Sequence, residues 1–339
     1  MNGKITIKDI ARRTGVSIST VSRVINKTKP VSEELRNKVM EIINKEGYVP
    51  NHTARSLILK RTNTIGVVVP NISQYFHVMM LEGVADVLEK NGYQMLVCNI
   101  KNDVRSEMQY IDLLAEKQVD GIILMHETSD PEIKDYLSNC DIPIVMASIE
   151  IPGVDRPVVR VDDYMAACDA VEYLISLGHK EIGIICGTEI TVGNFRTRAY
   201  VDVMKKYGLQ LKESLMVQGN YTMESGYSAM QKILERENKV TAIFVVSDEM
   251  AIGAINCALD MGYEVPKDIS VIGFDDIELS SYFRPKLTTI RQPIKDIAKI
   301  STEIIIKNLK GESMQGKNVT VKHNLIVRDS CTSVNGVNN

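Results

Sequence analysis

Near the N-terminus, small polar side chains and one arginine recur at a spacing that could support DNA recognition. Ser22, Arg23 and Asn26 follow Ser19 by three, four and seven residues. They therefore share one face of a helix. Arg is the commonest specific partner of guanine in the major groove of DNA. The spacing predicts that Arg23 contacts a base directly.

Other residues in this region have less specific roles. Exposed Ile18 could touch the methyl group of thymine, and Ser19 could contact either a base or a phosphate. The competing interpretation is an ordinary pair of amphipathic helices whose polar face is only solvated. The predicted DNA contacts in this region are Thr6, Ser17, Ile18, Ser19, Thr20, Ser22, Arg23 and Asn26.

Two short helices around a tight turn would position these side chains. Thr6 and Asp9 predict a capping box, Gly15 ends the first helix, and Ser17 can cap the second. A third helix over 32–45 starts after a serine cap and stops before a glycine. Apolar residues at helical spacing predict one shared core, and these are Ile7, Ile10, Ala11, Val21, Val24, Ile25, Leu35, Val39, Ile42 and Ile43. The pattern is typical of a helix-turn-helix, whose second helix enters the major groove.

Charge is unevenly distributed along the chain. Residues 1–61 contain 13 Lys and Arg against 5 Asp and Glu, a balance of +8, which leaves −11 for the remaining residues. A basic segment is typical of a protein that binds a polyanion. An acidic remainder repels the same polyanion and confines the contact to the basic part.

Length and composition exclude several classes of protein. A chain of 339 residues with 44% hydrophobic residues is long enough for a small domain and at least one large one. No apolar run approaches the roughly 20 residues that span a bilayer, and the N-terminus lacks an apolar signal core, so we expect a cytoplasmic protein. The cysteines form no CxxC pair and adjoin no histidine cluster, which argues against zinc and disulfides. We expect no cofactor.

From residue 64 onward, strand-like and helical segments alternate. IGVVV, QMLVCN, DGIILM and PIVMAS form a first series, and EIGIIC, LMVQGN, AIFVVS and ISVIGF form a second. Alternation of this kind predicts α/β structure with doubly wound parallel sheets. Two series predict two lobes with a cleft between them. The late helix over 294–309 and the late strand HNLIVR could complete these lobes, so that the chain would cross between them several times.

Several motifs resemble the LacI/GalR (lactose/galactose repressor) family of bacterial transcription regulators. They are TIKDIARRTGVSISTVSRVIN, VSEELRNKVMEIINKEGYVPN, ARSL, LGHKEIGIICG and VIGFDDIELSSYFRPKLTTIRQP, in the same order and spacing as in the family. The resemblance covers nearly the whole chain. It implies an α/β protein with an N-terminal three-helix helix-turn-helix domain and a two-lobed core like that of periplasmic sugar-binding proteins.

The resemblance also implies a domain plan. It places the DNA-binding domain at 1–49, a hinge helix or linker at 50–61, the effector-binding core at 62–332 and a tail at 333–339. Within the core, the N-lobe would comprise 62–161 and 290–320, and the C-lobe 162–289 and 321–332. Family members bind palindromic operators as homodimers, and the hinge contacts DNA in the minor groove. The hinge residues expected to do so are Asn51, Ala54, Arg55 and Leu57, of which Leu57 would wedge between base pairs.

The resemblance supplies four effector-binding residues by position. Arg196 matches an arginine that grips the ligand, Asp275 an aspartate that accepts hydrogen bonds from ligand hydroxyls, and Tyr221 an aromatic ring beside the ligand. Asp248 matches another position that faces the cleft. An arginine, an aspartate and an aromatic ring suit a polyhydroxylated ligand such as a sugar.

Three further effector-binding residues are predicted from their position directly after the first strand, and these are Asn71, Tyr75 and Phe76. Ligands bind at the carboxyl ends of strands in open α/β sheets. Alternatives stay open for some residues. Tyr221 and Phe76 could be core residues, and Asp248 could be only a helix cap. Arg198 competes with Arg196, because Ala199 stands where the family commonly has glycine.

These features predict an allosteric DNA-binding repressor of carbohydrate-utilisation genes, controlled by a small ligand between the lobes. Within the same family, a catabolite-control regulator would instead use a phosphorylated carrier protein as corepressor. A sugar-binding receptor for transport fits the core but not the basic N-terminal segment. An enzyme is not expected, because the chain lacks a GxGxxG after the first strand, a P-loop and a defensible nucleophile–base pair.

Overall fold

The structure, a computed structural model, describes residues 5–26, 30–48, 61–100, 104–188, 191–236, 239–312 and 318–334. The chain divides into two compact units, Met1–Thr62 and Asn63–Asn339. We call the first unit the head and the second the core. No helix within the described ranges combines the length and the apolarity needed to cross a membrane.

The head contains the three predicted helices, α1 (Ile7–Thr14), α2 (Ile18–Asn26) and α3 (Glu33–Glu46). The backbone N–H and the hydroxyl of Thr6 both donate to Asp9 Oδ2, at 3.1 and 2.7 Å, and Gly15 ends α1 with a φ of 72°. The predicted capping box and break are therefore confirmed. The predicted apolar residues of all three helices form one core, in which Ile10, Val21 and Val39 are fully buried.

The core contains twelve strands among its described residues: β1 (Thr64–Val69), β2 (Gln94–Asn99), β3 (Gly121–Leu124), β4 (Ile144–Ala147), β5 (Val158–Arg160), β6 (Ile182–Cys186), β7 (Met216–Gln218), β8 (Ala242–Val245), β9 (Ser270–Asp275), β10 (Thr288–Arg291), β11 (Asn318–Thr320) and β12 (Asn324–Ile326). Its helices are α4 (Tyr75–Asn91), α5 (Val104–Glu116), α6 (Pro131–Asn139), α7 (Asp163–Ser176), α8 (Thr191–Lys206), α9 (Met223–Arg236), α10 (Asp248–Asp260), α11 (Leu279–Tyr282) and α12 (Ile294–Leu309), with a 3₁₀ turn at Glu213–Leu215.

The strands form two sheets. The first has the order β2-β1-β3-β4-β5-β11 and is parallel throughout. The second has the order β7-β6-β8-β9-β10-β12, in which only β12 runs antiparallel. Helices cover the sheets, so the inner strands are buried on both faces and consist of continuous apolar runs. The predicted doubly wound architecture is confirmed.

The chain passes between the two sheets three times. It leaves the first sheet after β5, returns with α12 and β11, and ends in the second sheet with β12. Helix α12 packs against α4, β3, β4 and β5. Strand β10 pairs along its length with β9, from Thr288 opposite Ile272 to Arg291 opposite Asp275. A lobe boundary between residues 289 and 290 would therefore cut through β10, and the change of sheet falls after Arg291.

Two short strands were not expected from the sequence. Strand β5 follows a loop with two prolines, and β11 is only partly buried, so neither forms an apolar run. By contrast, the predicted helix over 294–309 is confirmed with the same bounds as α12.

Candidate functional site

A cavity of about 370 Å³ lies between the two sheets of the core. Its lining follows the carboxyl ends of β1, β3 and β4 in the first sheet and of β6, β7, β8, β9 and β10 in the second. Parallel strands bring their carboxyl ends to the same edge of a sheet, which is why ligands bind there. The predicted effector residues Phe76, Arg196, Tyr221 and Asp275 all line this cavity.

Arg196 lies in α8 and is only 4% exposed. Its Nε and Nη2 donate to Asp163 Oδ1 at 3.0 and 2.8 Å, and Nη1 donates to the carbonyl of Val246 at 2.6 Å. The guanidinium carbon lies 3.7 Å from the centre of the Phe274 ring. Burial raises the pKa of Asp163, although the charge of Arg196 opposes the shift. These contacts fix the guanidinium at the edge of the cavity.

Asp275 is the last residue of β9 and is 6% exposed. Its Oδ1 accepts a hydrogen bond from Gln292 Nε2 at 2.7 Å and lies 3.8 Å from Arg196 Nη1. Its φ of 126° is a conformation that residues with a side chain seldom adopt. Burial raises its pKa well above the ordinary value, with Arg196 opposing the shift. The carboxyl therefore belongs to a network that reaches into the cavity.

Two aromatic residues line the cavity, one beside each sheet. Phe76 comes from α4 beside the first sheet, and Tyr221 follows β7 in the second. The Tyr221 hydroxyl occupies the space that a β-carbon at Gly187 would need, so this glycine permits the position of the ring. Burial raises the pKa of Tyr221 above its ordinary value. The sequence left open whether these residues line a pocket or belong to the core, and both of them line the cavity and also pack against the hydrophobic core.

The structure does not place Asn71, Tyr75 or Asp248 in the lining. Asn71 Oδ1 accepts from the backbone N–H of Ser73 at 2.9 Å, in the turn before α4. The Tyr75 side chain is 44% exposed. The expectation that Asn71 and Tyr75 would face the cleft followed from their place after β1, but the turn directs them elsewhere.

Asp248 is fully buried behind the cavity. Its Oδ2 accepts from Ser280 Oγ at 2.6 Å and from the Ile277 N–H at 3.0 Å, and its Oδ1 accepts from Thr289 Oγ1 at 2.5 Å. Burial raises its pKa to about 6. Asp248 therefore ties α10 to the segments that follow β9 and begin β10, in place of the expected ligand contact.

The structure also distinguishes the two arginines of α8 that were candidates for ligand binding. Arg198 has a 70% exposed side chain, and its Nε lies 3.5 Å from Asp202 on the solvent side of the helix. Two residues along an α-helix correspond to a rotation of about 200°, so neighbours at this spacing face opposite ways. Arg196 is the arginine that reaches the cavity.

Sequence reasoning missed Asp163, His77, Glu249 and Gln292. The first binds Arg196, and the other three line the cavity. Burial lowers the pKa of His77 to about 4 and raises that of Glu249 to about 7. Paired acids at the starts of two helices were the available signal. In both pairs, at 162–163 and 248–249, one acid caps or braces the helix. The other acid binds Arg196, in the case of Asp163, or lines the cavity, in the case of Glu249.

Hydrogen bonds between described residues cross the cleft. Glu249 Oε1 accepts from the backbone N–H of Tyr75 at 2.6 Å, and Gln74 Nε2 donates to the carbonyl of Tyr221 at 3.3 Å. The first bond places a carboxyl group at the start of α4, where the helix dipole favours negative charge. Both bonds require the two sheets to be close together, as they are in this structure.

In the head, the N-terminal part of α2 exposes the predicted recognition face. Ile18 is 44% exposed, Ser19 and Arg23 are exposed, and Thr20 and Ser22 are half-buried. Ser17 Oγ accepts from the backbone N–H of Thr20 at 3.1 Å and therefore caps α2. Asn26 ends the helix, but its side chain lies outside the described residues, as do Asn51, Ala54, Arg55 and Leu57.

A ligand-sized cavity between two α/β lobes and an exposed helix of a basic three-helix head define a ligand-responsive DNA-binding protein. Residues 6–51 match the model of "Bacterial regulatory proteins, lacI family", and residues 171–331 match that of a periplasmic binding protein-like domain.

Individual proteins extend these matches over almost the whole chain. Catabolite control protein A of Priestia megaterium is 37% identical, over 96% of this chain and 99% of that protein. A lac repressor dimer solved with operator and an anti-inducer is 25% identical, with a TM-score of 0.87 over 97% of this chain and 99% of the repressor chain. A complex of the transcriptional regulator CelR with cellobiose is 28% identical, with a TM-score of 0.73 over 96% of this chain and 99% of the CelR chain. The chain belongs to the lacI family, and it is a DNA-binding transcriptional regulator and not an enzyme.

Proposed function

We propose that this chain represses transcription of carbohydrate-utilisation genes and that a small polyhydroxylated ligand in the core cavity controls its DNA binding. The observation that carries this proposal is the convergence of Phe76, Arg196, Tyr221 and Asp275 on one cavity. These residues come from separate segments and from both sheets. Such convergence of charged and aromatic groups in a concave site is typical of a binding pocket.

On the DNA side, Arg23 contacts a guanine, and Ile18 and Ser19 contact bases or phosphates beside it. Their exposure on α2 supports this assignment. The hinge residues Asn51, Ala54, Arg55 and Leu57 act in the minor groove, where Leu57 is the wedge. A homodimer places two such heads on a palindromic operator in the cytoplasm.

On the ligand side, a sugar or a sugar derivative suits the chemistry of the cavity. Asp275 accepts hydrogen bonds from hydroxyls, Arg196 donates to ring or hydroxyl oxygens, and Tyr221 packs against an apolar sugar face. The cellobiose complex of the transcriptional regulator CelR, a structure of similar fold, supports this ligand class.

Control of DNA binding follows from opening and closing of the cleft. The bonds from Tyr75 to Glu249 and from Gln74 to Tyr221 exist only when the two lobes are close together. A ligand that bridges the lobes favours this closed state and thereby changes operator affinity. Coupling of this kind amounts to about 1–3 kcal/mol, or roughly 5- to 150-fold in affinity.

Selection of bound sites from a randomised duplex pool tests the DNA-binding part of the proposal. The full-length protein is used at about 0.15 M salt, where non-specific phosphate contacts are weakened. The expected result is an enriched palindrome with a central CG step. Lack of enrichment, both with the protein alone and with cell extract added, would contradict sequence-specific recognition.

A phosphorylated carrier protein as corepressor is the second candidate, which the 37% identity to a catabolite control protein favours. Gel-shift titration of the selected palindrome distinguishes the two. If the carrier is the corepressor, its phosphorylated form tightens DNA binding and its unphosphorylated form does not. If a small ligand alone controls binding, neither form has an effect.

A further inference from the structure

The cavity has more acidic than basic groups. Glu127, Glu249 and Asp275 line it, and Arg196 is the only Lys or Arg among the described residues of the lining. The charge of Arg196 is already matched, because the guanidinium donates two hydrogen bonds to Asp163. Burial raises the pKa values of Glu249 and Asp275, and a bound cation would stabilise the charged form of both carboxyl groups. The cavity therefore favours positive charge.

The two histidines of the lining do not supply that charge. Burial lowers the pKa of both His77 and His126 to about 4, so both rings are neutral at pH 7. A neutral imidazole has one nitrogen that donates and one that accepts. The two histidines therefore add no positive charge to the cavity at neutral pH.

Unpartnered polar atoms in the lining indicate what a ligand must offer. His77 Nδ1 and Gln292 Oε1 are buried and have no hydrogen-bond partner within the described ranges. The His77 ring already bonds the backbone of Asn71, which leaves Nδ1 as the accepting nitrogen. Gln292 uses its Nε2 on Asp275, which leaves the carbonyl oxygen. Both orphaned atoms are acceptors, and their residues are 8% and 3% exposed.

We propose that the cavity binds a polyol that carries a protonated amine, such as an amino sugar with a free amino group. Hydroxyls and an ammonium group supply donors to the orphaned acceptors, and an ammonium has no acceptor of its own. Its charge compensates the excess of carboxylates. A phosphorylated or carboxylated sugar would add negative charge to an already acidic cavity and is therefore disfavoured. The inference names the ligand class of the effector site proposed above and rests on that proposal.

Glu249 is the residue expected to select the amine. Its Oε1 already accepts from Tyr75 N–H, so the carboxylate lies where the two lobes meet. An ammonium bound beside it would join both lobes through one carboxylate. Glu127 contributes a second charge from the loop after β3.

Titration calorimetry of the full-length protein with matched sugars tests the proposal. The probes are glucose, N-acetylglucosamine, glucosamine and glucose 6-phosphate, together with galactose and galactosamine, and with cellobiose and its 2,2′-diamino counterpart. The sugars form a glucose, a galactose and a cellobiose series. In at least one series, the sugar with a free amine should bind about tenfold or more tightly than its neutral counterparts. Glucose 6-phosphate should bind least. Binding of a neutral or phosphorylated sugar in preference to its amine, or binding of none of the amines, would overturn the proposal.

Isosteric variants assign the preference to a residue. Glu249→Gln removes the charge but keeps an oxygen for Tyr75 N–H, so the cleft can still close. In this variant, the ratio of the affinities for the amine and for its neutral counterpart should fall to about threefold or less. The affinity for the neutral sugar should change less. Glu224→Gln, an exposed glutamate in the first turn of α9, is the matched control and should keep the full preference. A full preference in Glu249→Gln, Glu127→Gln and their double variant would exclude carboxylate selection.

The two proposals can fail independently. The same protein preparation is used for the palindrome selection described above. A protein that enriches a palindrome but binds no amine refutes only the amine inference. A protein that binds an amine but enriches no DNA site refutes the proposed mode of DNA binding instead.

Discussion

The head and the core build their sites in opposite ways. The recognition face of the head lies on one helix, and its members are within nine residues of each other in α2. The core cavity collects residues from the ends of eight strands in two sheets, between Pro70 and Gln292. A site on one helix depends on local spacing, whereas a site at strand ends depends on how the sheets pack. The consequences of substitution should differ accordingly.

The largest effect is expected at the buried ion pair of the core. Arg196→Ala removes both hydrogen bonds that buried Asp163 accepts from the guanidinium and leaves Arg160 Nη1, at 4.0 Å, as the only described cationic group near this carboxylate. The loss should lower the free energy of unfolding of the core by about 3–5 kcal/mol. It should also abolish the ligand response. Denaturant unfolding of the purified protein measures the first, and operator binding with and without ligand measures the second.

Arg198→Ala is the matched control, because the Arg198 side chain is 70% exposed and its Nε lies 3.5 Å from the carboxylate of Asp202. Its effect on stability should stay within about 0.5 kcal/mol. Equal losses in the two variants would show that the distinction between the cavity side and the solvent side of α8 is not valid.

An intermediate effect is expected on the recognition face. Arg23→Ala should weaken binding to the selected palindrome by about 1–3 kcal/mol and relax the base preference at one position. The fold should be unaffected, because Arg23 is exposed. Fluorescence anisotropy with the palindrome and with a scrambled duplex gives both affinities.

Arg12 provides the comparison within the head. It carries the same charge, its side chain is 76% exposed and its guanidinium pairs with Asp9 at 2.8 Å in α1. Arg12→Ala should weaken binding to both duplexes by similar factors. A loss of base preference in Arg12→Ala and not in Arg23→Ala would move direct readout away from α2.

The smallest effect concerns the cap that starts the recognition helix. Ser17→Ala removes the acceptor for the N–H of Thr20 and should destabilise the head by about 0.5–2 kcal/mol. Ser32 stands at the corresponding position of α3 but makes no side-chain capping bond. Ser32→Ala should therefore cost less, and thermal unfolding followed by circular dichroism compares the two. A larger loss for Ser32→Ala would contradict this assignment of caps.

Local sequence signals predicted much of the head and the framework of the core. Caps and stops such as Thr6, Gly15 and Ser17 act through neighbours a few residues away, so local spacing predicts them. Long apolar runs predicted the inner strands, because these strands are buried on both faces. The short strands β5 and β11 were missed because their pairing, and not their composition, makes them strands.

The acids that serve the cavity are selected by the packing of the helices between the sheets. A helix with one apolar stripe shows which side faces the core, but α10 buries Asp248, Met250, Ala251, Ile252 and Gly253 in its first two turns, on all sides. Adjacent residues on a helix differ by about 100° in direction. Without a stripe to fix the rotation, the sequence could not choose between Asp248 and Glu249. The packing of α10 between two sheets made that choice, and it turned Asp248 into the interior and Glu249 toward the ligand cavity.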